Sequence, residues 1–230
     1  MATELRLPGS APGSIGLSQN RVLRNTYWLL GLSMVPTVIG AYIGANTNFA
    51  FLAQYPVMGP LIMFGVMMGL LFGVSALRNS SMGVLLLLAF TFVAGFFLGP
   101  ILQAALSLRN GSQLVGLAAG GTGLIFLGLA SYATVSKRDF SFMGKFLFIG
   151  LILLVVASLA NLFFQIPALS LTISAVAVLL FSAYLLFDIS RIVNGGETNY
   201  VMATMAVYLN LYNLFTNLLN LLMAFSGQRD

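Results

Sequence analysis

Long apolar runs alternate with short polar breaks along this chain, and the runs are longer than the core of a soluble domain requires. A helix needs about 20 mainly apolar residues to cross the hydrocarbon layer of a bilayer. Seven stretches meet that length: 27–45, 55–77, 82–106, 114–135, 146–164, 168–189 and 201–225. Turn-forming residues separate them, among them Asn46-Thr47-Asn48, Arg78-Asn79-Ser80-Ser81, Arg109-Asn110-Gly111-Ser112, residues 136–145, Gln165-Ile166-Pro167 and Asn194-Gly195-Gly196. The pattern predicts an all-α polytopic membrane protein with seven transmembrane helices. Residues 1–25 carry Pro8 and Pro12 and no apolar core, and are expected to form a flexible cytoplasmic tail. Residues 26–230 then form the transmembrane domain.

Composition agrees with this reading. The 230 residues are 59% apolar and 7% charged, against about 45–50% and 25% in soluble domains. Ten basic and five acidic side chains cannot coat a soluble globule of this size. The net charge of +5 therefore reads as a membrane-orientation signal, not as a nucleic-acid footprint. With the N-terminus in the cytoplasm, that side holds Arg6, Arg21, Arg24, Arg78, Lys137, Arg138, Lys145 and Arg191, and the other side holds Arg109 and Arg229. Seven spans place the C-terminus outside; a re-entrant last segment, leaving six, would return it to the cytoplasm.

The chain has no Cys and no His. Disulfides, thiolate metal sites, cysteine nucleophiles and the commonest general base are all excluded. No catalytic residue, metal site or cofactor is expected. Intramembrane aspartyl chemistry needs two acids, and one acid, Asp188, lies within the apolar runs. For a serine nucleophile the remaining bases are Lys137 and Lys145, both in a loop. An enzyme is not expected.

Between lipid-embedded helices, close packing depends on small residues. Gly65, Gly69 and Gly73 form a small-residue ridge on the second span, and Gly116 and Gly120 form one on the fourth. Gly40 and Gly44 on the first span and Gly95 and Gly99 on the third have the same spacing. All are expected at tight helix contacts within the bundle, with a homodimer face as the alternative.

The last span carries Asn210, Asn213, Asn217 and Asn220. At about 100° per residue they fall within an arc of roughly 80°. Four carboxamides facing hydrocarbon would be costly, so this stripe must look into the protein. It serves either as interhelical hydrogen bonding or as a polar seam lining an ion or proton path. Asp188 lies roughly 30 Å along its helix from Pro167 and so near the cytoplasmic edge. Arg191, three residues on, shares its face and is placed to pair with it. Counting from the turn at residues 195–200, Asp188 and Asn210 come within roughly 5 Å of the same depth on adjacent antiparallel helices.

Several segments together resemble one known family. They are Val22-Leu23-Arg24-Asn25-Thr26-Tyr27, Gly99-Pro100-Ile101-Leu102, the loop from Ser136 to Gly144, and Phe187-Asp188 through Gly195-Gly196-Glu197-Thr198-Asn199-Tyr200 to Tyr208-Leu209-Asn210-Leu211-Tyr212-Asn213-Leu214-Phe215. They resemble the Bax inhibitor-1 family, and within it the bacterial YccA-type branch. The resemblance implies seven helices with the last one central, in the inner membrane of a bacterium. It also implies one of two activities. Members of the YccA-type branch are substrates and inhibitors of the membrane-bound AAA protease FtsH. Other members act as pH-sensitive Ca²⁺ leak channels, gated by two hydrogen-bonded Asp residues, one of which pairs with an Arg in the second helix.

Carried onto this sequence, the first Asp is Asp188, but the second position is Asn210, and the second span has no Arg before Arg78. A coupled carboxylate pair is therefore absent. The expected function is regulation of FtsH, with a Ca²⁺ leak as the alternative and Ca²⁺ only as a permeant ion. Asp188, Asn210, Arg191, Asn213 and Asn217 are the candidate ion-path or pH-sensing residues. The expected partners are the lipid bilayer and FtsH, with no nucleic acid and the oligomeric state left open.

Overall fold

The computed structural model describes residues 12–227, and among these no β-strand occurs. The helices are α1 (Pro12–Ala45), α2 (Ala50–Gln54), α3 (Met58–Leu77), α4 (Ser81–Phe97), α5 (Gly99–Leu106), α6 (Gly111–Ser136), α7 (Gly144–Phe164), α8 (Pro167–Val193) and α9 (Tyr200–Gly227), with a 3₁₀ turn at Ser141–Met143. Six segments of the described residues are long and apolar enough to cross a membrane: Asn20–Ala45, Met58–Leu77, Ser81–Leu106, Gly111–Ser136, Ser141–Phe164 and Pro167–Val193. Helix α9, 28 residues long, also has spanning length, but its asparagines keep it out of that apolar set. It is the seventh long helix of the bundle.

Three expected boundaries shift. The sequence pattern predicts a flexible tail to residue 25, yet residues 12–25 belong to α1. Pro12 occupies the first position of that helix, where a missing N–H costs nothing, and Val22 and Leu23 already pack against the core. The rest of the expected tail, residues 1–11, lies outside the described residues. The second span starts at Met58, not at residue 55, because Pro56 interrupts the chain after the short α2. The third span is divided at Leu98, whose N–H turns to Gly95 O at 3.0 Å before Gly99-Pro100 restarts the helix as α5.

Helix α9 is the hub. It packs against α1, α3, α4, α5, α6 and α8, and the first of its residues to be exposed is Phe225. Two apolar clusters share it. The larger joins Leu29, Phe90, Leu185, Ile189, Val207 and Leu214; the smaller, nearer the other end, joins Leu98, Leu102, Leu114 and Leu219. Helix α7 stands apart from this arrangement. It leans on α8 and the 3₁₀ turn, and Leu147 is its one buried residue.

The tightest crossing is α1 on α4. A Cβ added to Gly40 or Gly44 would land on the backbone carbonyl of Phe92 or Phe96, and one added to Gly95 would land on that of Thr37. The backbones themselves are therefore in contact. The expectation for the other glycines needs correction. Gly65, Gly69, Gly116 and Gly120 have no atom within 4 Å of an added Cβ, and Gly73 meets only the Leu86 side chain. Small spacing permits close approach but does not supply a partner, and these faces of α3 and α6 are turned away from the bundle.

Candidate functional site

The candidate residues gather where α8 ends and α9 begins. Helix α8 closes in a Schellman motif: Gly195 N–H donates to Ile192 O at 3.3 Å, and Gly196 N–H donates to Arg191 O at 2.7 Å. Gly195 takes a φ of 78°, which glycine adopts without strain. Asn199 then caps α9, its Oδ1 accepting from Val201 N and Met202 N, both at 3.0 Å. The same side chain donates through Nδ2 to Arg78 O at 3.1 Å and Asn79 Oδ1 at 2.8 Å. This single asparagine fixes the start of the hub to the α3–α4 turn.

Facing it, the 136–144 loop is tied to the end of α8. Ser190 Oγ donates to Arg138 O at 2.8 Å and accepts from Phe140 N at 3.1 Å. Asn194 Nδ2 adds a bond to Arg138 O at 3.2 Å. In the loop itself, hydrogen bonds from the Ser141 side chain and backbone N–H hold the Asp139 carboxyl below the usual carboxylate range.

Asp188 sits five residues before the end of α8. Asn210 Nδ2 donates to its Oδ2 at 2.8 Å, the contact that their depths along the two helices suggest. Asn210 is buried, and the bond is the one hydrogen bond that Asp188 receives among the described residues. Arg191 does not pair with Asp188. Its guanidinium turns toward Glu197 (Nη2 to Oε2, 3.8 Å), donates to Gly196 O at 3.3 Å and lies 5.5 Å from the centre of the Phe187 ring. The Schellman turn folds the chain back beside Arg191, so Glu197 competes with the acid one turn earlier.

The asparagine stripe divides into two roles. Asn210 and Asn220 bridge to α8, the second through Ser174 Oγ at 2.8 Å. Asn213 and Asn217 instead donate to carbonyls of their own helix, Leu209 O at 2.8 Å and Asn213 O at 2.7 Å. The stripe thus faces α8, and two of its amides are already consumed locally.

Sequence reasoning missed the opposite face. The Tyr208 hydroxyl lies 2.9 Å from Thr37 Oγ1 and 3.3 Å from Thr91 O, joining α9 to α1 and α4. Its position, about 160° around the helix from Asn210, is the available signal. Gln103 was missed as well; its Nε2 caps the end of α1 by donating to Gly44 O, Ala45 O and Thr47 O at 3.2, 3.1 and 2.6 Å. Among the described residues no group of three or more His, Cys, Asp or Glu side chains is placed to hold a metal ion.

Residues 19–227 match the family described as "Inhibitor of apoptosis-promoting Bax1". An uncharacterized membrane protein of Vibrio cholerae is 44% identical over 210 residues, 90% of each chain. The "Modulator of FtsH protease YccA" of Escherichia coli K12 is 38% identical over 206 residues, 90% of this chain and 91% of that protein. A Neisseria meningitidis protein is 38% identical over 214 residues, 92% of this chain and 94% of its own. With the match running from the first turns of α1 to the end of the hub, this chain belongs to the Bax inhibitor-1 family.

Proposed function

We propose that the protein is an inner-membrane regulator that binds the FtsH protease and restrains it. Similarity over nine-tenths of both chains to the Escherichia coli modulator of that protease carries this reading. The architecture is compatible with it. An energy-dependent protease that pulls on one end must unseat α1 from α4, where the backbones touch, and α9 from its surrounding helices. Residues 1–11, ahead of α1, offer the end on which such a protease engages, with the N-terminus and the basic excess on the cytoplasmic side and the C-terminus outside.

The Ca²⁺-leak alternative has less support. Asn210 stands where a second acid is needed, and Arg191 is engaged with Glu197.

Affinity capture of the tagged full chain from native membranes is expected to bring FtsH with it, and the added chain slows FtsH proteolysis of a membrane substrate. Capture without FtsH, together with unaltered proteolysis, would overturn the reading. Deleting residues 1–11 is expected to leave capture intact while halting the chain's own turnover. In liposomes, Ca²⁺ flux is expected to match that of empty vesicles; flux that changes on Asp188→Asn would transfer the assignment to the leak.

A further inference from the structure

Around α9, helices α1 and α6 are joined through α5 and through α8 but not directly. Helices α1, α5, α6 and α8 surround the hub, and α1 packs on α5, α5 on α6, α6 on α8 and α8 on α1. Between α1 and α6 themselves no pair of Cα atoms comes within 8 Å. A cleft of about 1130 Å³ fills this gap. Its rims carry Val38 of α1 and Leu127 of α6, both well exposed, and its floor is formed by Tyr208 and Tyr212 of α9. This is the face of α9 opposite the asparagine stripe.

The lining is almost wholly apolar, and the Thr37, Thr122 and Thr134 hydroxyls within it bond to carbonyls one turn back on their own helices. From Tyr27 to Ala45 the cleft runs about 27 Å along α1, close to the ~30 Å hydrocarbon thickness. It therefore opens sideways into the acyl chains of the bilayer. Left empty, its walls would forfeit dispersion contacts along that whole length.

Charge selects the occupant. Arg24 lies three residues before Tyr27 and seven before Gly31, on the cleft face of α1, and Lys137 and Arg138 follow Val135 at the matching end of α6. Tyr27 reaches across the gap to Thr134, and each lies three residues from its cation, Arg24 on α1 and Lys137 on α6, which brings these two ends to about the same level. All three cations are exposed, and none makes an ion pair among the described residues. Cations on both rims at one mouth of an apolar slot complement a phosphate joined to an acyl chain.

We propose that the α1–α6 cleft binds one anionic phospholipid from the leaflet at the Arg24 end. An acyl chain lies along α9, and the phosphate sits between Arg24 and Lys137–Arg138. The test is native mass spectrometry of the full chain with added phosphatidylglycerol or phosphatidylcholine of identical acyl chains. The wild type is expected to retain one phosphatidylglycerol in preference to phosphatidylcholine. Arg24→Gln with Lys137→Gln should weaken phosphatidylglycerol binding about 25-fold, roughly fivefold for each cation, and leave phosphatidylcholine unchanged.

Gly31→Leu with Gly123→Leu fills the cleft. Neither glycine has an atom within 4 Å of an added Cβ, so the bundle is expected to fold while binding of both lipids is lost. Gly65→Leu with Gly69→Leu, equally unobstructed but away from the cleft, should leave binding as it was. Wild-type phosphatidylglycerol retention in the charge variant or in the filled variant overturns the proposal. So does a second copy of the chain that binds in place of lipid and is lost when the cleft is filled.

Discussion

Gly44→Leu, and equally Gly40→Leu, is expected to stop α1 from seating on α4 and to destabilise the folded bundle by at least about 3 kcal/mol. Over-packing an ordinary core costs roughly 1–3 kcal/mol because neighbouring side chains can yield. Here the obstacle is backbone: the new Cβ would fall on the carbonyl of Phe92 or Phe96, which has no rotamer to change. Relief requires moving a whole helix. That would also part Thr37 from Gly95 and pull Thr37 Oγ1 away from the Tyr208 hydroxyl. Gly65→Ala and Gly69→Ala are the matched controls. They stand in open space, and each should be neutral or stabilising by about 0.5–1 kcal/mol through helix propensity. Unfolding of the purified chain in mixed micelles separates the two sets. Equal losses at Gly44 and Gly65 would refute the α1–α4 crossing as the tight seam.

That contrast also marks how far the sequence could be read. Span number and rough position are legible because lipid imposes one requirement, about 20 apolar residues with the backbone satisfied internally. The inward face of α9 is legible for the same reason: Asn210 and its companions have to avoid hydrocarbon, and no residue of the helix before Phe225 is exposed.

Pairwise partners are less accessible. Spacing alone does not distinguish Gly44, pressed on Phe96, from Gly69, which meets nothing, because the partner helix is remote in sequence. Spacing matches Arg191 with the acid three residues earlier, whereas the turn at Gly195–Gly196 brings up Glu197. Asn213 and Asn217 look identical to Asn210 in the pattern, yet their amides donate to carbonyls of their own helix. The cleft between α1 and α6 is not legible, since it lies where two helix backbones stand apart.

The bond between Asn210 and Asp188 is expected to be strongly asymmetric under mutation. Asn210→Leu takes away the one hydrogen-bond donor that Asp188 has among the described residues and leaves a half-buried carboxylate without it. Hydrogen bonds to charged groups are worth about 1.5–3 kcal/mol, and the orphaned partner retains its desolvation cost. A loss of about 2–3 kcal/mol is expected. Asp188→Leu should cost far less, about 1 kcal/mol or under. The freed Asn210 amide can turn to the carbonyl four residues back, as the amides of Asn213 and Asn217 already do. The double variant Asp188→Leu/Asn210→Leu removes both polar groups and should be more stable than Asn210→Leu alone. A double-mutant cycle on unfolding free energy in micelles reads all three values. If Asp188→Leu proves as damaging as Asn210→Leu, or if the double variant is the least stable, the carboxylate is not held by this amide alone. A further donor near the end of α8 would then have to be found.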